Sequence, residues 1–415
     1  MAIKPAASLK PSDQTKGPML FALPPELIST TLSNLSSDEL QYYFNVLELV
    51  SSAEIHDSYL PIRKIALLCY YSDKPLIITN SVAKNQHHHH YPDGVELSIE
   101  ELHLLRSKGI VIKPKQTNIL INDDNCDCGC YNVSYIKFIE QLMDLLPYVN
   151  TCCPKINLVL NLTTDKLYNF AILNNFFERI QFIEVLAIKY TGDKIINFQN
   201  LKIQKIQLQF FNLNKLLSHL QVNNIANAQH LELRYNLINN LYFIPLNSNL
   251  VSLNLSNNNL VCINDANFNW KILHNLETLD LSNNNIVELN LSGNSTANYR
   301  LKRLNLFANS LRKVPNFNNC KLFRQLEEIN LSRNSIATLP DNAFPPTLKS
   351  LWLKGNYLPD LMRSLSGRVF PKSLNYLDLT YCRILLTGQD DEQEAIRKLI
   401  EAEQLHKLKV LELEF

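Results

Sequence analysis

Between Ala228 and Ile384 the chain writes nearly the same eleven letters, L-x-x-L-x-L-x-x-N-x-L, seven times, at spacings of 22 to 26 residues. Clear copies are Leu250, Leu253, Leu255, Asn258, Leu260; then Leu276, Leu279, Leu281, Asn284, Ile286; then Leu301, Leu304, Leu306, Asn309, Leu311. The first copy opens at Ala228, later ones at Leu326 and Leu348, and the last at Leu374. The closing L-x-L of each unit alternates apolar and polar residues, the pattern of a short strand with one buried face. One such strand cannot bury its leucines alone, so stacked copies must share a continuous core in a parallel ladder.

The asparagine stands just past the strand, where the backbone turns inward and loses its ladder partners. Its amide both donates and accepts, and so can satisfy them. Asn236, Asn258, Asn284, Asn309, Asn334 and Asn356 hold this place, with Cys382 in the last copy. The pattern resembles the leucine-rich repeat, in which cysteine is a known variant at this position. The resemblance implies an α/β solenoid, a horseshoe with a parallel sheet on its concave face.

Looser strands at Leu158 and Leu160, Ile183 to Ile188, and Ile203 to Leu208 carry the period back to about residue 154. After Ile384 the spacing stretches to 34. There Asp391 to Leu405 reads as an amphipathic helix with Ile396, Leu399 and Ile400 on one face, before a final strand at Leu408, Leu411 and Leu413. The expected organisation is a disordered tail over 1–20, a helical module over 21–60, a mixed α/β connecting region over 61–153 and the solenoid over 154–415.

The helical module begins LPPELISTTLSNLSSDELQYYFNV at Leu23. Pro24 or Pro25 suits a first helical turn, Glu26 suits its positive end, and Ser36 or Ser37 can cap a second helix. The segment resembles the F-box at Leu23, Pro24, Glu26, Leu27, Leu32, Ser33, Leu35, Glu39, Leu40 and Val46. It departs from that pattern at Thr31, and Leu47 to Ser52 replace the usual serine-lysine-arginine-tryptophan ending. The resemblance implies docking on a Skp1-type adaptor of a cullin ubiquitin ligase through Leu23, Pro24, Leu27, Ile28, Leu32, Leu35 and Leu40. On helical pattern alone, the same helices could instead cap the solenoid.

In the connecting region, Leu76 to Thr79 reads as extended. Ser98 and Glu101 form a capping box before Leu102, Leu104 and Leu105, with Gly109 as the stop, and Tyr135 to Leu146 reads as a helix. His87 to His90 can bind metal, but in a polar stretch between Asn85 and Gly94 a surface loop is the preferred reading. Cys126, Cys128 and Cys130 are spaced more closely than zinc knuckles; with Cys152 and Cys153 they could form a zinc or redox site, and a reduced exposed loop is the preferred reading. No cofactor is expected. With no P-loop, nucleophile elbow, H-E-x-x-H or dinucleotide turn, and only nine glycines, the chain is not expected to be an enzyme.

The formal charge of +1 and the absence of a basic block argue against nucleic acid, and no apolar run of 18 residues suggests a membrane span. Without an apolar N-terminal leader the expected location is cytoplasmic, nuclear or both. Function then rests on binding protein. The strand residues expected to face outward form three columns: His230, Ser252, Thr278, Arg303, Glu328, Ser350, Tyr376; Glu232, Asn254, Asp280, Asn305, Asn330, Trp352, Asp378; and Arg234, Ser256, Ser282, Phe307, Ser332, Lys354, Thr380. Against small polar neighbours, Arg303, Phe307, Trp352 and Tyr376 stand out as candidate partner-binding residues; they could equally pack on one another. The expected role is substrate recognition for a ligase of the Skp1-cullin-F-box type. The alternative is a repeat scaffold regulating a phosphatase, a GTPase or a kinetochore assembly.

Overall fold

The computed structural model describes residues 75–79, 95–122 apart from 108 and 110, 131–152, 155–162, 170–180, 183–292 apart from 224, 298–385 apart from 364, and 392–412. The F-box-like segment with its seven adaptor-binding residues, the histidine tract, Cys126, Cys128, Cys130 and Cys153 lie outside these. The chain divides into two compact units, Met1–Leu120 with Lys137–Ile156, and Ile121–Ile136 with Asn157–Phe415.

In the first unit, strand β1 (Leu76–Thr79) pairs in parallel with β2 (Val95–Glu96) and with β3 (Thr117–Asn122) through Thr79↔Leu120. Helix α1 (Ile99–Ser107) follows Ser98 and buries Leu102 and Leu105, whereas Leu104 is half exposed. Gly109 stops it in a left-handed turn at φ +62°, its N–H donating to Arg106 O. Helix α2 (Tyr131–Cys152) extends beyond the expected Tyr135 to Leu146 and contains Pro147. Tyr148, Val149 and Cys152 continue its buried stripe past the proline, so tertiary burial carries the helix where proline alone would end it.

The second unit opens with β4 (Ile156–Leu162), β5 (Ile183–Tyr190) and β6 (Ile203–Gln209); helix α3 (Phe170–Arg179) links β4 to β5, and helix α4 (Leu213–Val222) follows β6. The sequence reading had missed both helices. α3 buries Leu173, Phe176 and Phe177; α4 buries Leu216, His219 and Leu220 and is capped by Asn212, whose side chain accepts from Lys215 N.

Strands of three residues follow: β7 (His230–Glu232), β8 (Ser252–Asn254), β10 (Thr278–Asp280), β12 (Arg303–Asn305), β13 (Glu328–Asn330), β14 (Ser350–Trp352) and β15 (Tyr376–Asp378). They continue one parallel sheet from β6, each copy beside the next. Two further strands, β9 (Cys262–Asn264) and β11 (Glu288–Asn290), pair with each other in a small separate sheet. The stretched last interval holds α5 (Glu392–Ala402), which buries Ala395 and Leu399, before β16 (Val410–Glu412) pairs with β15.

The core of this unit is the leucine stack. Leu231, Leu253, Leu279, Leu304, Ile329, Leu351 and Leu377 are all at most 2% exposed. Glu403 is also fully buried. Its carboxylate accepts four backbone N–H bonds, from Ser366, Gly367, Val369 and Phe370 at 2.8–3.0 Å, which fasten the end of α5 to that loop. Charge-assisted bonds of this kind offset the cost of burying a carboxylate.

Candidate protein-binding face

Each asparagine ties its repeat to the one before. Asn284 donates from Nδ2 to Leu281 O of its own copy and Leu255 O of the preceding copy, both at 3.0 Å, while its Oδ1 accepts from Leu260 N in the preceding exit loop. Asn258, Asn309, Asn334 and Asn356 repeat this pattern, accepting from Ile238, Ile286, Leu311 and Ile336 N at 3.0 Å. Cys382 keeps a reduced form of it, its Sγ–H donating to Leu353 O at 3.1 Å. Burial pushes this thiol up to about 11, so it remains protonated.

The residue before each of these positions is left-handed. Tyr235, Asn257, Asn283, Ala308, Arg333 and Tyr381 have φ between 51° and 57°, and Gly355 has 69°. This conformation swings the exit loop away from the sheet and turns the amide inward.

The strand register aligns the three outward columns as expected. Thr278 pairs with Arg303, Arg303 with Glu328, Glu328 with Ser350 and Ser350 with Tyr376. The middle column does more than the sequence reading assigned it. Asn254, Asp280, Asn305, Asn330 and Asp378 each accept the N–H two residues on, at 2.9–3.1 Å. These are Asx turns that close the strand ends. Trp352 occupies the same column with an indole that cannot accept, so its ring stands on the sheet instead.

Tyr376 packs beside it, ring centroids 5.2 Å apart and tilted by 42°. Phe307, half buried, lies under the guanidinium of Arg333 at 5.4 Å. Arg303 is exposed and donates to Thr278 Oγ1 from Nε at 3.2 Å and from Nη2 at 2.9 Å. The four candidate residues therefore lie along the stretch from β12 to β15, Arg303 on β12, Phe307 two residues past it, Trp352 on β14 and Tyr376 on β15, as one aromatic pair, one stacked ring and one tethered arginine.

Electrostatics differ between the two edges of the sheet. At the strand-entry edge the charges are paired, Lys302 with Glu277 at 3.6 Å and Lys349 with Glu327 at 2.9 Å, and Glu232, the last residue of β7, pairs with Lys205 at 2.6 Å. His230 lies in the same region with its pKa lowered by burial and by Lys205, against the opposing pull of Glu232. At the strand-exit edge cations sit over exposed rings. Lys189 lies 5.7 Å from Phe211, Arg234 5.5 Å from Tyr235, and Lys354 5.1 Å from Tyr381. Sequence reasoning missed these pairs because the partners lie up to 27 residues apart and meet only through the left-handed turns.

Among the described residues there is no group of three or more histidine, cysteine or acidic side chains that could hold a metal, and no helix long and apolar enough to cross a membrane. A family model described as Leucine Rich Repeat matches residues 275–296. No curated protein matches the chain at a significant level. Similar solved structures include an internalin (inlF) from Listeria monocytogenes, 16% identical, covering 73% of this chain and 80% of that one with a TM-score of 0.39. A leucine-rich repeat protein from Bacteroides eggerthii is 14% identical over 84% of this chain and 69% of its own, with a TM-score of 0.42. The mouse RP105/MD-1 complex is 18% identical over 75% of this chain and 49% of its own, with a TM-score of 0.41. The recurring strand, left-handed turn and back-reaching asparagine, together with the family match, make the second unit a leucine-rich repeat solenoid.

Proposed function

We propose that this chain is a non-catalytic protein-binding adaptor, the substrate-recognition subunit of a cullin ubiquitin ligase, working in the cytoplasm, the nucleus or both. In this reading, Leu23, Pro24, Leu27, Ile28, Leu32, Leu35 and Leu40 hold a Skp1-type adaptor, and the open face of the sheet holds a target. Joining the two raises the effective concentration of the target near the ubiquitin-charged enzyme.

The observation that carries the reading is the register. It aligns Arg303, Trp352 and Tyr376 on one face of β12, β14 and β15, on the side turned away from the leucine core, with Phe307 two residues past β12. Aromatics and arginine are the usual anchors of protein interfaces, and their rings here are partly open to solvent.

Affinity purification of the tagged full chain with mass spectrometry tests both halves. A Skp1-type protein is expected in the eluate and is expected to be lost on Leu27→Asp with Leu32→Asp. Phe307→Ala with Trp352→Ala is expected to remove the target while the adaptor stays bound. Target capture without any adaptor favours a regulatory repeat scaffold. Target capture that survives the double alanine variant rules out this face.

A further inference from the structure

The two edges of the repeat sheet differ in charge, and this difference identifies the kind of partner segment that fits. Across the seven copies, the six-residue strand segments from 228–233 to 374–379 contain Glu232, Glu277, Asp280, Glu327, Glu328 and Asp378 against Lys302, Arg303 and Lys349. The six residues that follow each of them, from 234–239 to 380–385, contain Arg234, Arg312, Arg333, Lys354 and Arg383 and no acid. Five of these six acids are engaged, Asp280 and Asp378 in their turns and Glu232, Glu277 and Glu327 with lysines, while Glu328 stands beside Arg303 on the neighbouring strand. The strand-exit segments therefore carry an excess of positive charge over the strands that precede them.

Resting on the reading of this sheet as a partner-binding face, we infer that its exit edge from β12 to β15 is a docking rail for an acidic, extended segment of the partner protein. Arg333 and Lys354 receive its carboxylates. Among the described residues neither is in an ion pair. Each instead lies against a ring, Arg333 on Phe307 and Lys354 on Tyr381, which covers one side of the cation and leaves the other outward. The ring fixes the charge before the partner arrives, so less side-chain freedom is lost on pairing.

Gly355 lets the rail run smoothly. It takes the left-handed place between the two cations, at φ +69°, and a Cβ there would lie 3.7 Å from Arg333 Cγ. Trp352 and Tyr376 stand on the open face of β14 and β15, the strands from which the rail exits, and supply an apolar anchor for side chains of the same segment. Strands in a sheet lie about 4.8 Å apart, so three steps span roughly 14 Å, the reach of about four extended residues. Cations at separate strands match carboxylates spread along a chain better than the compact charge of a single phosphate group.

The test is fluorescence anisotropy of the full chain with a labelled 12-residue peptide alternating glutamate and alanine. Saturable binding that weakens with salt is expected, falling about tenfold in Arg333→Glu with Lys354→Glu and staying within about twofold in Lys302→Glu with Lys349→Glu. Circular dichroism checks that both variants fold. Phe307→Leu, which frees Arg333 without removing its charge, is expected to weaken binding about threefold at an unchanged salt slope.

Absence of saturable binding, equal binding of the lysine-alanine peptide, or indifference to the exit-edge variant overturns the rail. Binding only when phosphoserine replaces glutamate also overturns it, in favour of phosphate recognition. In target capture, loss with Phe307→Ala and Trp352→Ala but not with Arg333→Glu and Lys354→Glu removes the rail alone. Persistence in both variants removes the binding face itself.

Discussion

The first three strands of the repeat unit and the seven that follow solve the same problem in different ways. β4, β5 and β6 run for seven or eight residues, and β4 and β5 match six consecutive positions from Asn157↔Val185 to Leu162↔Tyr190. Backbone pairing along this length holds the sheet, and α3 and α4 contribute apolar faces between strands. From β7 to β15 each strand has three residues. Side-chain amides take over there, with one buried asparagine per repeat and one Asx turn at most strand ends. Short strands leave more backbone to satisfy, and the recurring asparagine is the compensation for that shortness.

The sharpest way to break this comparison is to remove one amide from each region. Asn284→Ala leaves Leu260 N–H without its partner and takes one of two amide donors from each of Leu255 C=O and Leu281 C=O, and is expected to cost about 2 kcal/mol. Asn161→Ala, which removes one part-buried bond to Asn122, is expected to cost about 1 kcal/mol or less. Urea denaturation measures both, and equal losses would show that the asparagines are not what holds the short strands.

A smaller effect is expected at the left-handed turns found in every short repeat. Gly355→Ala introduces a Cβ at φ +69° and is expected to destabilise by about 1 kcal/mol, whereas Ala308→Gly, at φ 51°, is expected to stabilise by a similar amount. Opposite shifts in melting temperature support the turn as a shared device. Shifts of the same sign would place the cost elsewhere.

The smallest effect belongs to the long-strand region and depends on pH. His219 on α4 is stacked on Phe210 at 4.1 Å, its Nδ1–H donates to Lys215 O and its Nε2 accepts from Ile196 N. Burial lowers its pKa, against the upward pull of the Lys215 carbonyl, so the folded chain favours the neutral ring. The unfolded chain then binds more protons. The resulting stability is present above the ordinary histidine value of about 6.5 and is lost as pH falls through the lowered folded value. His230 acts in the same sense. Hydrogen exchange at pH 7.5 and 5.5 is expected to show α4 and β6 loosening first in acid, a difference that His219→Phe reduces. Uniform loosening along the unit would contradict it.

Much of this architecture was legible in the chain because a repeated pattern reports the same contact many times. The leucine columns and the structural role of the asparagines both follow from spacing. α3 and α4 were not legible. Each occurs once, and Phe170 to Arg179 carries asparagines that read as loop. The middle column was misread for a related reason. Asn254 or Asp280 on a strand face looks like solvated polarity, and only the bond to the residue two places on shows it closing a turn. The cation and ring pairs of the exit edge depend on turn geometry that composition does not encode.

The back-reaching asparagine gives the solenoid a direction in time. The exit loop after each strand keeps its inward N–H unsatisfied until the amide of the next repeat arrives, as Leu260 waits for Asn284 and Ile336 for Asn356. On a ribosome making the chain from its N-terminus, every repeat is thus completed by its successor, one period of about 25 residues later. The loop after β14 differs: its Leu358 N–H donates to the backbone carbonyl of Cys382 at 2.8 Å, while the Cys382 thiol reaches Leu353 O, where every earlier short repeat receives an amide. At that one junction the array is held by its backbone, so the position tolerates a side chain other than asparagine.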